Sequence, residues 1–235
     1  PPLPVRAGGR GAHHCAAQGV RRAAGAAGRD LLQRPHRLPR RRPGPAQAVA
    51  DGVAMVAGGA EIIDVGGEST RPGAQPVSED EELGRVLPVV RGRRREIGAP
   101  ICIDTYKSTI ARAALDAGAD IVNDISALRF DPAMVSLIAT EKVPVVLMHM
   151  QGTPRTMQHE PHYDDVTREV RDFLAAQLYE AMDGGVAPES IILDPGIGFG
   201  KTIEHNLQLL RGLPAVAALG QPLWSASRAR LLSAG

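Results

Sequence analysis

The sequence predicts an α/β fold with a parallel sheet, either a (β/α) barrel or an open sheet. From residue 46 onward, β-branched apolar runs alternate with helix-like stretches, and the connections are short. The runs are continuously apolar, as expected for parallel strands covered on both faces. We expect five strands, within segments 57–65, 100–104, 116–124, 143–150 and 184–194.

Six helices are expected between the strands. Ser78, with Glu81 three residues later, and Thr202 are typical N-cap residues. The helices should span roughly 46–58, 78–96, 107–117, 131–140, 164–183 and 203–212.

The charge divides the chain near residue 45. Residues 1–45 hold ten arginines and one acid, a net charge of +9, whereas the other 190 residues carry −8. The basic segment has no lysine, no aromatic residue and no periodic apolar pattern, which predicts a disordered leader. We expect no nucleic-acid partner, because no aromatic residue interleaves with the arginines and no reader motif follows. Residues 46–222 should form the barrel domain.

The cysteine content and hydropathy exclude several classes of protein. Cys15 and Cys102 are the only cysteines, too few for a disulfide framework or a four-cysteine zinc site. No run of about 18 apolar residues could cross a membrane. We expect a cytoplasmic protein without a membrane partner.

Polar residues end four of the predicted strands: Asp64, Asp104, Asn123 and Asp194. In a parallel barrel the carboxyl ends of all strands open on one face, where active sites lie. A single such residue is more often a helix cap or turn former. Four at corresponding places favour a shared cavity.

The loop after Asp64 reads GGESTRPGA, residues 66–74. Thr70 and Arg71 could contact an anion, and the planar guanidinium suits phosphate or carboxylate. Pro72 restricts the loop. The alternative is a solvated turn.

The loop PGIGFGKT, residues 195–202, is not a Walker A motif. That motif needs glycine at 195, where this chain has proline. The loop can still shape a pocket, with Phe199 as an apolar wall. His149, His159 and His162 lack the i, i+4 helical spacing of a zinc motif and are interpreted as loop histidines.

Five motifs follow one another along the chain: DVGGESTRPG (64–73), ICIDT (101–105), IVNDIS (121–126), VVLMHM (145–150) and LDPGIGFGKT (193–202). Together they resemble dihydropteroate synthase over about residues 45–222. The resemblance implies a (β/α)8 barrel that condenses 6-hydroxymethyl-7,8-dihydropterin diphosphate with para-aminobenzoate and releases diphosphate, assisted by Mg²⁺.

The resemblance also implies residue roles. Asp104, Asn123 and Asp194 would bind the edge of the pterin ring, and Met148 would line its apolar side. The carboxylates of Asp104 and Asp194 would stabilise the carbocation-like pterin left after diphosphate departs. Thr70 and Arg71 would hold anionic groups, and Pro72 and Phe199 would flank the aminobenzoate. Barrels of this family commonly form homodimers.

Both ends depart from the family pattern. A first strand reading roughly NVTPDSFSDGG is replaced by DLLQRPHRLPRRRPGP (30–45), so the asparagine that helps bind Mg²⁺ has no counterpart and no metal ligand is assigned. A VGVSRK motif and a later Arg-x-His site are replaced by the tail 223–235. Shifting the reading frame of plausible codons by one base gives residues similar to the family motifs at both ends, so we expect frameshifted termini. We therefore expect an incomplete barrel with weak or absent turnover.

Two other functions stay open at this point. A corrinoid-dependent methyltransferase also presents Asp, Asn and Asp to a pterin, although the STRPG loop and the MHM strand favour the synthase. A truncated fragment that binds a pterin without turnover is the other alternative. Consumption of para-aminobenzoate would distinguish the synthase from both.

Overall fold

The fold is described from a computed structural model that covers residues 44–70 and 74–224. Most of the predicted leader, the tail from residue 225, and the predicted site residues Arg71 and Pro72 lie outside the described residues.

The described chain alternates helices and strands, as the sequence predicts. The helices are α1 (Pro45–Ala57), α2 (Glu79–Glu96), α3 (Ser108–Asp116), α4 (Ala133–Glu141), α5 (Val166–Asp183), α6 (Ile203–Arg211) and α7 (Leu213–Ala217). The strands are β1 (Ile63–Gly66), β2 (Ile101–Asp104), β3 (Ile121–Asp124), β4 (Val145–Met148) and β5 (Ile191–Asp194).

The five strands form one parallel sheet in the order β1-β2-β3-β4-β5. Since each strand pairs with the next in sequence, each helix returns the chain to start a neighbouring strand, as in a barrel. Alternate side chains point to opposite faces. The outer face packs on the helices through residues such as Ile103, Val145 and Leu193. The inner face carries a separate cluster of Cys102, Ile121, Val146 and Ile192.

Both predicted N-caps are confirmed. The Ser78 hydroxyl accepts a hydrogen bond from the Glu81 amide at 3.3 Å. Thr202 caps α6 by accepting from the His205 amide at 3.1 Å, and the His205 ring accepts from the Thr202 amide in return. These bonds satisfy amides that have no partner within the helix, which fixes where α2 and α6 begin.

Some features are not predicted by the sequence pattern. A short 3₁₀ turn, Pro188–Ser190, precedes β5, and α7 follows α6. Beyond α7, the Trp224 amide donates to the Leu193 carbonyl at 2.8 Å, so residues 223 and 224 continue the sheet beside β5. None of the described helices is long and apolar enough to cross a membrane.

Candidate active site

The polar strand residues all lie on the inner face, in three layers. Asp64 pairs with Cys102 in the deepest layer. Asp104 and Asn123 pair directly in the next layer. Asp194 pairs with Met148 in the uppermost layer, nearest the carboxyl ends of the strands.

The four residues are therefore on one face but not at corresponding positions. Asp64 is the second residue of β1, so it lies about 7 Å deeper along the strand than Gly66, the register partner of Asp104. Asp64 nevertheless stays close enough to Asp194 for their like charges to interact. The stagger between strands, which a barrel requires, explains the layering.

The upper layers combine buried acceptors with one unsatisfied atom. Asn123 is 7% exposed and Asp194 is 5% exposed. The Asn123 Oδ1 is buried and has no hydrogen-bond partner in the structure. A buried carbonyl oxygen without a partner costs free energy, so this acceptor is suited to a donor from a ligand. Asp104 is half-buried beside it.

An apolar cluster lies beside these acceptors. Ile125, Met148 and Met150 form its buried centre, and Tyr106 and Phe199 pack against it. Acceptors on one side and an apolar, partly aromatic wall on the other suit a flat heterocycle with donors along one edge.

The loop after β5 folds back onto the end of β4. The Asp194 carboxylate accepts from the Gly196 amide at 2.7 Å, and the His149 amide donates to the Asp194 carbonyl at 2.9 Å. Gly196 has φ +68°, and a Cβ there would lie 1.9 Å from the His149 carbonyl oxygen. The close contact of the two loops thus requires glycine at 196.

Gly196→Ala is expected to lower the free energy of unfolding by about 3 kcal/mol, because it combines a left-handed conformation with a steric overlap. Gly198→Ala is the matched control: Gly198 has φ +85°, but a Cβ at this position would meet only open space. Gly198→Ala should lower the free energy of unfolding by only about 1 kcal/mol. Urea unfolding measures both, and equal losses would contradict the role of the loop contact.

A partly buried charge network anchors the loop after β1. The Lys107 Nζ donates to Glu68 and Glu82, both at 2.7 Å, and to the Val77 carbonyl. The Tyr106 hydroxyl donates to the other Glu68 oxygen at 2.6 Å. Glu68 lies two residues before Thr70, which is 8% exposed. The network therefore fixes the start of the STRPG loop on α2 and on the loop after β2.

Sequence reasoning missed several of these residues. His149, interpreted as a loop histidine, is buried and contacts Lys201, which is also buried. Glu68 lies in a loop where the sequence singles out only Thr70, Arg71 and Pro72. The local sequence does not reveal which charged residues of a loop are buried, because the partners of these charges come from distant parts of the sequence.

The described residues contain no group of three or more His, Cys, Asp or Glu side chains that could hold a metal ion by themselves. Mg²⁺ commonly uses only one or two carboxylates together with substrate phosphates.

Comparison with known proteins gives a consistent result. A family model described as pterin binding enzyme matches residues 41–235. A dihydropteroate synthase from Synechocystis sp. is 52% identical over 176 residues, which are 75% of this chain and 61% of that protein.

Solved structures agree with the sequence comparison. Xanthomonas albilineans dihydropteroate synthase with 4-aminobenzoic acid matches with a TM-score of 0.73 and 43% identity, over 77% of this chain and 64% of that one. The same enzyme in complex with 7,8-dihydropteroate matches with a TM-score of 0.69 and 40% identity, over 77% of this chain and 65% of that one. The chain spans less than two thirds of the length of the matched protein in each of these three comparisons. The five strands of the described residues thus match part of a (β/α)8 barrel, which confirms the predicted barrel fold.

Proposed function

This chain belongs to the pterin-binding enzyme family, and on that premise we propose that it forms the pterin site of a dihydropteroate synthase. The reaction transfers the pterin methylene from diphosphate to the amine of para-aminobenzoate. The observation that carries the proposal is the buried Asn123 Oδ1, an acceptor without a partner in the structure. A pterin ring edge, which is rich in N–H donors, would satisfy it.

Three acceptors in adjacent layers would bind that edge: Asp104, Asn123 and Asp194. Met148 and Phe199 would contact the ring faces of pterin and aminobenzoate, which their shared apolar cluster supports. Thr70 and Arg71 would hold anionic groups of the substrates, and Pro72 would flank the aminobenzoate.

The chemical role of the carboxylates follows from charge. When the C–O bond to diphosphate breaks, positive charge develops on the pterin methylene, and Asp104 and Asp194 would stabilise it in a site shielded from water. The neutral arylamine then forms the C–N bond and loses its proton. No side chain needs to act as a strong base.

We also propose that Mg²⁺ takes part, bound mainly by the substrate diphosphate, whose leaving charge it would neutralise. The described side chains would orient the pterin and not the ion. Mg²⁺ titration with diphosphate present and absent tests this: metal binding should require diphosphate.

We further propose that the protein acts in the cytoplasm and forms a homodimer. Ile203, Leu207 and Leu210 form an exposed apolar stripe along α6, at helical spacing, which supports contact with a second copy. Analytical ultracentrifugation should show a dimer if the stripe is covered in this way.

Asn123→Leu tests the proposal directly. The substitution keeps the branched shape and the number of side-chain heavy atoms but removes the acceptor, so a pterin N–H loses its partner. Binding of 6-hydroxymethylpterin, measured by calorimetry, should weaken about 10- to 100-fold. Gln47→Leu, which removes an exposed amide on α1, is the control and should leave binding unchanged. Equal affinity in both variants would contradict the proposal.

Turnover separates the proposed synthase from the alternatives. Diphosphate release that depends on para-aminobenzoate would establish the synthase. Pterin binding without release would indicate a binding fragment, the outcome consistent with the weak or absent turnover expected from the sequence. Methyl transfer from a folate would indicate the methyltransferase.

A further inference from the structure

Lys201 is a buried lysine for which the proposed chemistry gives no role. Its side chain is 4% exposed and lies at the end of the loop after β5. The Nζ donates to the Gly196 carbonyl at 2.9 Å and the Phe199 carbonyl at 3.0 Å, and it lies 3.0 Å from the His149 Nδ1. All three ammonium donors are thus directed at loop acceptors.

The contact with His149 defines the state of that ring. While Lys201 is protonated it can only donate, so the Nδ1 is then the acceptor and the neutral imidazole carries its proton on Nε2. Burial, with the nearby charges of Lys201 and Arg129, lowers the pKa of His149 far below its usual value. His149 therefore adds an acceptor for Lys201 without adding a second cation.

The buried ammonium also acts on Asp194 through its charge. Burial raises the pKa of Asp194, and the like charge of Asp64 raises it further, whereas Lys201 opposes both. Conversely, burial lowers the pKa of Lys201 and the attraction of Asp194 opposes that change. The two opposite charges favour each other, whereas burial disfavours both. Gly196 links the two groups, because its carbonyl accepts from Lys201 and its amide donates to the Asp194 carboxylate.

We propose that Lys201 is a positioning residue. It seats the loop after β5 on β4 and, with its charge beside Gly196, opposes protonation of the Asp194 carboxylate that the Gly196 amide contacts. The pterin as ligand depends on the proposed function, but the effect on Asp194 does not. Without the ammonium, a neutral Asp194 would be a poorer acceptor for a ring edge of N–H groups.

Titration of Asp194 in the ligand-free full chain is the first test. The ¹³C carboxyl signal of Asp194 is assigned by its loss in Asp194→Asn. In Lys201→Met the Asp194 pKa should rise by about 1 pH unit or more. In Lys201→Arg, which keeps the charge, the rise should be smaller. No change in Lys201→Met, or an equal change in Lys201→Arg, would overturn the proposal.

The reciprocal measurement covers the case in which Lys201→Met does not fold. In Asp194→Asn the Lys201 pKa, followed by its ¹³Cε signal, should fall because the attraction of the carboxylate is lost. An unchanged Lys201 titration would overturn the charge coupling.

The affinity for 6-hydroxymethylpterin, measured as a function of pH, tests whether Lys201 and Asp194 affect pterin binding. The pH at which affinity falls to half should be higher in Lys201→Met than in the unchanged chain. An equal loss of affinity at every pH would show that Lys201 only packs the loop, and would overturn its electrostatic role. If the unchanged chain binds no pterin at any pH, the proposed function fails while the two titrations still decide the inference.

Discussion

Lys107→Met is expected to lower the free energy of unfolding by about 3 kcal/mol, because it leaves the buried Glu82 carboxylate and the partly buried Glu68 carboxylate facing each other without their cation. Glu82 has a side chain only 1% exposed, and that of Glu68 is 11% exposed. Methionine has nearly the volume of lysine, so little of the loss should come from a cavity. Urea unfolding with linear extrapolation measures the change.

Arg112→Met is the matched control for this prediction. Its ion pair with Glu141 is largely exposed to solvent. Exposed pairs contribute at most about 1 kcal/mol, so this variant should be nearly as stable as the unchanged chain. Losses of similar size in the two variants would show that the Lys107 network does not stabilise the fold.

The same network gives the stability a pH dependence. Burial alone would raise the pKa of Glu68, but hydrogen bonds from Lys107 and Tyr106 lower it below its usual value. A carboxylate with a lowered folded-state pKa stabilises the fold above its ordinary pKa, and this contribution is lost as the pH falls through the lowered value. In Lys107→Met, Glu68 should contribute less to the stability that is lost when the pH falls.

The fold could be predicted because its signals are local. Parallel strands buried on both faces leave continuous apolar runs such as 143–148, and the caps at Ser78 and Thr202 mark helix starts. That the polar strand residues lie on one face of the sheet could also be predicted, because side chains alternate between the two faces along a strand. Their depth does not, because the layering of Asp64 below Asp104 depends on how neighbouring strands are staggered.

The loops could not be predicted in the same way. Lys201 resembles the lysine of a phosphate loop, and only the tertiary contact with His149, 52 residues earlier, shows why it is buried. Glu68 likewise binds Tyr106 and Lys107, which are 38 and 39 positions away. Buried charges are stabilised by partners from other elements, and a single sequence does not reveal those pairs.

Asp194→Asn is expected to weaken binding of 6-hydroxymethylpterin about 10- to 100-fold, because hydrogen bonds to a buried charge are worth more than bonds to a neutral amide. The amide can still accept from the Gly196 amide, so the loop should keep its conformation. Calorimetry at neutral pH measures the loss. Asp183→Asn, which neutralises an exposed carboxylate at the end of α5, should bind as the unchanged chain does.

The pH dependence distinguishes loss of charge from loss of shape. Burial raises the pKa of Asp194, so in the unchanged chain pterin affinity should fall on acidification from neutral pH as this carboxylate takes up a proton. Asparagine does not titrate, and that fall should be absent in Asp194→Asn. If the variant were weaker yet kept the same acid dependence, another group would control binding and Asp194 would serve only to hold the loop.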